Sequence, residues 1–140
     1  MKNFVLYNLL ILFLLQNILH AKSEQFQEAI NLFNKNKFED AKFKFEQDIL
    51  LNPKSELSYL YLSKIFNRQD KQDLEEQNLN TVIMLNPNNE EAIYYLAKLK
   101  LITSDYKKSV ELNKRLKLIC KNFCIKSDNL NIEIENLSKK

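Results

Sequence analysis

Leu51-Asn52-Pro53 recurs as Leu85-Asn86-Pro87, 34 residues further along the chain, and a period of that length is the signature of stacked helix-turn-helix units. A single unit of this kind cannot bury its apolar face alone. A chain with the period therefore folds as a row of helix pairs that share one continuous core. The period does not name a ligand, because partner choice in such arrays rests on a few surface side chains.

Taking Pro53 and Pro87 as unit ends gives three units: residues 22–53, 54–87 and 88 to about 121. Helix pairs bury a stripe spaced i, i+3, i+4, i+7, and small residues let neighbouring helices approach closely. Ala29, Ala41, Ser63, Ala97 and Ser109 occupy those close-approach positions. Asn-Pro ends the second helix of a unit, since the residue before Pro is pushed out of the helical region and Pro lacks an amide donor. The chain contains no Gly, so Asn36, Asp70 and Asp105, at or beside the turn inside each pair, are the residues expected to tolerate the left-handed backbone there.

Tyr59-x-x-Leu62-Ser63-x-x-Phe66, and Ala41-x-x-x-Phe45 followed eight residues later by Pro53, resemble the two halves of the tetratricopeptide repeat. The resemblance implies an all-α solenoid of antiparallel helix pairs, three repeats long, covering residues 22–125. Glu75 and Asp48 stand where that pattern has small residues, and Lys100 and Asn113 where it has aromatic ones. A buried unpaired Glu is costly, so Glu75 is expected either to reach the surface or to loosen its helix. Ser127-Asp128-Asn129-Leu130 is a helix start signal, with Ile134 and Leu137 continuing a stripe. Residues 126–140 are therefore read as a capping helix and tail, the element a solenoid needs at its end.

Met1-Lys2-Asn3, the apolar run Phe4–Leu19 and the polar return His20-Ala21-Lys22 form the three regions of a secretory signal peptide, residues 1–21. The run, interrupted by Asn8, Gln16 and Asn17, is short for a bilayer span of roughly 20 apolar residues. Cleavage after Ala21 would send the protein to the periplasm of a Gram-negative bacterium. An uncleaved run would instead hold it at the inner membrane as a structural component of an envelope assembly.

Lys2 is the one charged residue of that segment, so its removal takes the net charge from +3 to +2. That is no electrostatic footprint for nucleic acid. Without Gly there is no phosphate-cradling loop, dinucleotide fingerprint or nucleophile elbow. His20, the only His, falls in the leader. No catalytic residue, cofactor site or metal site is assigned, since the commonest general base and metal ligand is missing from the rest of the chain. Cys120 and Cys124 have two readings: a disulfide, which an oxidising compartment permits and which favours a helix ending near Lys121, or a pair of reduced, buried thiols. Some exported bacterial tetratricopeptide proteins look similar here, with a C-x-x-x-C pair just after the last repeat.

The expected partner is a protein or peptide, with a membrane involved only if the leader is retained. On the 34-residue register the groove-facing first-helix positions are Leu60, Tyr61, Lys64, Asn67 and Arg68 in the second unit and Tyr94, Tyr95 and Lys98 in the third. Their i, i+3, i+4 spacing puts each set on one helix face, joining aromatic contact area to positive charge. Family members that bind chaperone C-termini clamp a terminal carboxylate with Lys and Asn. The matching positions here are Phe26, Ile30, Tyr61, Glu91 and Tyr95, so that clamp is absent.

Overall fold

The computed structural model describes residues 23–138, and the leader expected at residues 1–21 lies outside them. The described residues form seven helices: α1 (Glu24–Asn34), α2 (Phe38–Leu51), α3 (Glu56–Arg68), α4 (Gln72–Leu85), α5 (Glu90–Ile102), α6 (Tyr106–Ile119) and α7 (Cys124–Ser138). Each packs on the next, and α5 also touches α7. No strand occurs among the described residues, and the architecture is an all-α helical-repeat solenoid.

The turns inside the pairs repeat one solution. Asn36, Asp70 and Ser104 take positive φ of 58°, 54° and 62°. The amide of the next residue then reaches back to the last turn of the first helix: Lys37 to the Leu32 carbonyl at 3.0 Å, Lys71 to Phe66 at 3.0 Å and Asp105 to Lys100 at 2.8 Å. This left-handed helix stop satisfies carbonyls that the helix end would otherwise orphan. In the third unit the left-handed residue is Ser104. Asp105 instead caps α6, its side chain accepting from the Lys108 amide at 3.1 Å. The other turns open at Asn52 and Asn86, both extended, as the following Pro requires.

Two buried clusters form the core. One joins Phe26, Ala29, Ala41, Phe45, Leu62, Ile65 and Phe66 across α1–α3. The other runs from Leu60, Leu79 and Val82 through Ile93, Leu96 and Leu116 to Leu130 and Ile134 of α7. Helix α3 contributes to both.

Positions that break the repeat pattern are handled by hydrogen bonds. Asp48, 1% exposed, is held by the hydroxyls of Ser23, Ser55 and Ser58. Asn113, also buried, accepts from the Ser127 hydroxyl at 2.9 Å and donates to the Ser127 carbonyl at 3.0 Å, tying α6 to α7. Lys100 pairs with Glu76. Helix α7 begins three residues earlier than the Ser127 start signal suggests, because Ser127 is buried inside it as the partner of Asn113 rather than serving as a cap. Its outer face is not wholly polar, since Ile125 and Ile132 are exposed.

The structure joins Cys120 to Cys124 with Cα atoms 5.3 Å apart. The bond spans the turn between α6, which ends at Ile119, and α7. Glu90 grips the same turn, accepting from the amides of Asn122 and Phe123, each at 2.9 Å. A hydrogen bond from the backbone of Lys121 holds the Glu90 carboxyl below its usual range against the opposing effect of desolvation, and the backbone hydrogen bonds of Asn122 and Phe123 and the Lys121 charge add to the lowering.

Candidate functional site

The first helices of the three pairs converge on an open cavity of about 490 Å³. Its walls are Phe33 of α1, Ser63, Lys64, Asn67 and Arg68 of α3, Glu75 of α4 and Tyr95 of α5. The side chains are ordered by one another. Lys64 lies 4.7 Å from the Tyr61 ring centre and pairs with Glu91 at 2.9 Å. The Arg68 guanidinium stacks over Phe33 and Phe38, 5.0 and 4.8 Å from their ring centres. Tyr61 stands behind this wall, stacked on Phe45 at 5.1 Å and edge-on to Phe33 at 5.0 Å.

Compared by sequence, the chain matches no protein-family model and none of the curated proteins. Compared by structure, it superposes on the TPR2B domain of yeast Sti1 in complex with pHsp70, at a TM-score of 0.74 and 15% identity over 82% of this chain and 99% of that one. The Yersinia enterocolitica type III secretion chaperone SycD, in complex with a peptide of the translocator YopD, gives 0.73 and 16% over 84% and 93%. The first TPR of Spaghetti (RPAP3), bound to the HSP90 peptide SRMEEVD, gives 0.72 and 13% over 81% and 90%. The chain has the tetratricopeptide-repeat fold.

Within that tetratricopeptide frame, Lys64, Asn67, Arg68 and Tyr95 meet in the cavity as the register places them, and Tyr61 adjoins it. Leu60 does not reach it. At 3% exposure it belongs to the core with Leu79 and Val82, because it lies one residue off the face that carries Tyr61 and Lys64. Tyr94 and Lys98 turn toward α7. The Tyr94 ring packs against Phe123 at 5.6 Å, and Lys98 pairs with Glu133 at 3.6 Å. The cap thus occupies the third-unit end of the groove, and the open space shifts toward the first unit. Phe33, Phe38, Ser63 and Glu75 are not among the register-derived groove residues. Phe33 stands 34 residues before Asn67, so extending the register to the first unit finds it. Glu75 carries no periodic signal.

Glu75 stays inside, 3% exposed, and both carboxylate oxygens accept from the Asn67 side-chain amide, at 3.1 and 3.0 Å. Burial pushes its carboxyl above the usual range, and the Asn67 hydrogen bonds oppose this only in part. Among the described residues neither Lys64 nor Arg68 forms an ion pair with it. A raised folded-state value means that the native protein holds this proton more tightly than the unfolded chain. The penalty is therefore absent below the ordinary glutamate range, grows as pH rises through the raised value and is complete above it. Glu75→Gln should stabilise the fold at pH 7 by about 1 to 3 kcal/mol, the scale of desolvating an incompletely paired polar group, and change little near pH 4. Equal denaturation midpoints for the two proteins at pH 7 would contradict a charged, desolvated Glu75.

Proposed function

We propose that this protein is an exported scaffold that binds a protein or peptide partner in the bacterial cell envelope. The carrying observation is the cavity itself, an open hollow walled by three successive first helices and furnished with Phe33, Tyr95, Lys64 and Arg68. Clefts that combine apolar rings with a few placed polar groups suit ligand recognition. Several proteins of this fold have peptide partners, among them SycD with its YopD peptide.

The ligand chemistry follows from the walls. Apolar side chains of an extended or helical segment would pack on Tyr95 and Phe33, and an acidic one would meet Arg68. Arg68 forms no ion pair among the described residues, whereas Lys64 is already held by Glu91. Export is supported by the leader pattern of residues 1–21 and by the Cys120–Cys124 bond, which belongs in an oxidising compartment.

The experiment starts from protein recovered from the envelope, whose mass should match a chain beginning at Lys22, and uses it to capture partners from periplasmic extract. Tyr95→Ala should then weaken the captured complex by about 1 to 3 kcal/mol, as loss of an aromatic anchor does. Arg68→Ala should chiefly slow association and reduce its salt sensitivity. An affinity unmoved by both changes, in variants that remain folded, would move the site away from this cavity.

A further inference from the structure

We infer that the floor of the cavity is a subsite for a basic side chain, lysine or arginine, of the bound partner, and that Glu75 is the residue that selects it. This subsite rests on the scaffold reading and specifies its ligand. In the two flanking units the place of Glu75 is taken by Ala41 and Ser109, 34 residues to either side and both fully buried. The packing of a helix pair thus calls for a small side chain at this position. A carboxylate stands there only in the middle unit, the one that supplies most of the cavity wall.

The walls sort by depth. Asn67 and Arg68 are exposed at the rim, whereas Ser63 and Glu75, 2% and 3% exposed, form the floor. The Ser63 hydroxyl gives its proton to the Leu60 carbonyl at 2.7 Å, which leaves its oxygen as an acceptor. The Glu75 oxygens take only the two bonds from Asn67, about half of what an ionised carboxylate can accept. The floor therefore offers lone pairs and no proton. A carboxylate or phosphate group could not be satisfied there, whereas an ammonium or guanidinium, which only donates, could.

The charges around the floor leave Glu75 uncompensated. Lys64 pairs with Glu91 and Lys100 with Glu76, so each of these cations already has a carboxylate of its own. The Arg68 guanidinium lies over the rings of Phe33 and Phe38 and donates to the Lys64 carbonyl. Lys71, four residues before Glu75, is exposed and forms no ion pair among the described residues. A buried charge without a counter-ion is costly, and an incoming cation removes that cost on binding. Arg68 does not cancel the preference, because water screens an exposed charge at the rim far more than a desolvated one at the floor. The Phe33 and Tyr95 rings in the same cavity suit the aliphatic stem of lysine or arginine. An acidic neighbour in the same segment would meet Arg68, so the preferred segment carries both signs.

The probe is a displayed library of random heptapeptides, selected on the unaltered chain and on Glu75→Gln, which is expected to be the more stable of the two at pH 7. Peptides selected on the unaltered chain should be enriched several-fold in lysine or arginine, and the enrichment should disappear on Glu75→Gln. Replacing the basic residue of a selected peptide by methionine should weaken binding about tenfold or more on the unaltered chain, but by less than about twofold on Glu75→Gln. A basic preference that survives Glu75→Gln would overturn the inference and leave the scaffold standing. Selected peptides without a basic residue, still weakened by Tyr95→Ala, would do the same. If neither Tyr95→Ala nor Arg68→Ala weakens any selected peptide, the cavity is not the recognition site and both readings fail.

Discussion

Phe45→Ala should lower the stability of the fold by about 3 to 5 kcal/mol, the range for removing a large buried ring from a packed core. Phe45 is fully buried, stacked on Tyr61 with ring centres 5.1 Å apart and edge-on to Phe26 at 5.9 Å. Its cluster is the smaller of the two, with seven buried residues, and the rings of Phe26 and Tyr61 that pack on it would be left facing a void. Whole domains are stable by only about 5 to 15 kcal/mol, and the melting temperature should fall by about 10 to 25 °C. Phe43→Ala, two residues away and 57% exposed, is the control and should change stability by no more than about 0.5 kcal/mol. A loss below about 1 kcal/mol at Phe45 would mean that α1 and α2 are not packed as described.

Ending the chain at Pro87 should abolish the cooperative thermal transition, although two complete helix pairs would remain. The larger cluster has thirteen buried residues, of which only Leu60, Leu79 and Val82 precede that point. Removing α5–α7 would expose all three to water and leave one face of α4 bare. In a stacked array each unit is held by its neighbours, and two units are marginal. Circular dichroism on heating should show a broad, low-temperature loss of helix in place of the transition of the whole protein. A sharp transition near that of the full chain would show that the first two pairs fold as an independent unit.

The architecture was legible because its causes are periodic. The 34-residue recurrence, the Asn-Pro helix stops and the small residues at Ala29, Ser63 and Ala97 all act through local backbone geometry or close approach, and each recurs in register. The site was legible only in part. Lys64, Asn67, Arg68 and Tyr95 follow from helix phase alone, whereas Leu60 lies at the margin between groove and core, where one residue is a rotation of roughly 100°. Tyr94 and Lys98 are decided by α7, whose docking the repeat register does not describe. Glu75 and Asp48 were visible as departures from the pattern. What rescues them, Asn67 in one case and three serines in the other, depends on side chains brought together from different helices.

Helix α3 supplies Leu60 to one buried cluster and Leu62, Ile65 and Phe66 to the other, and it also presents Lys64, Asn67 and Arg68 to the cavity. The wall of the cavity, where the proposed function places the ligand, is therefore part of the most doubly anchored segment of the chain. Lids and adaptable loops are drawn from the least stable parts of a protein and must be ordered by whatever they bind. Here the surface is set before a ligand arrives, so complex formation carries little loss of backbone freedom, and affinity should report the fit of the incoming side chains rather than the cost of arranging the receptor.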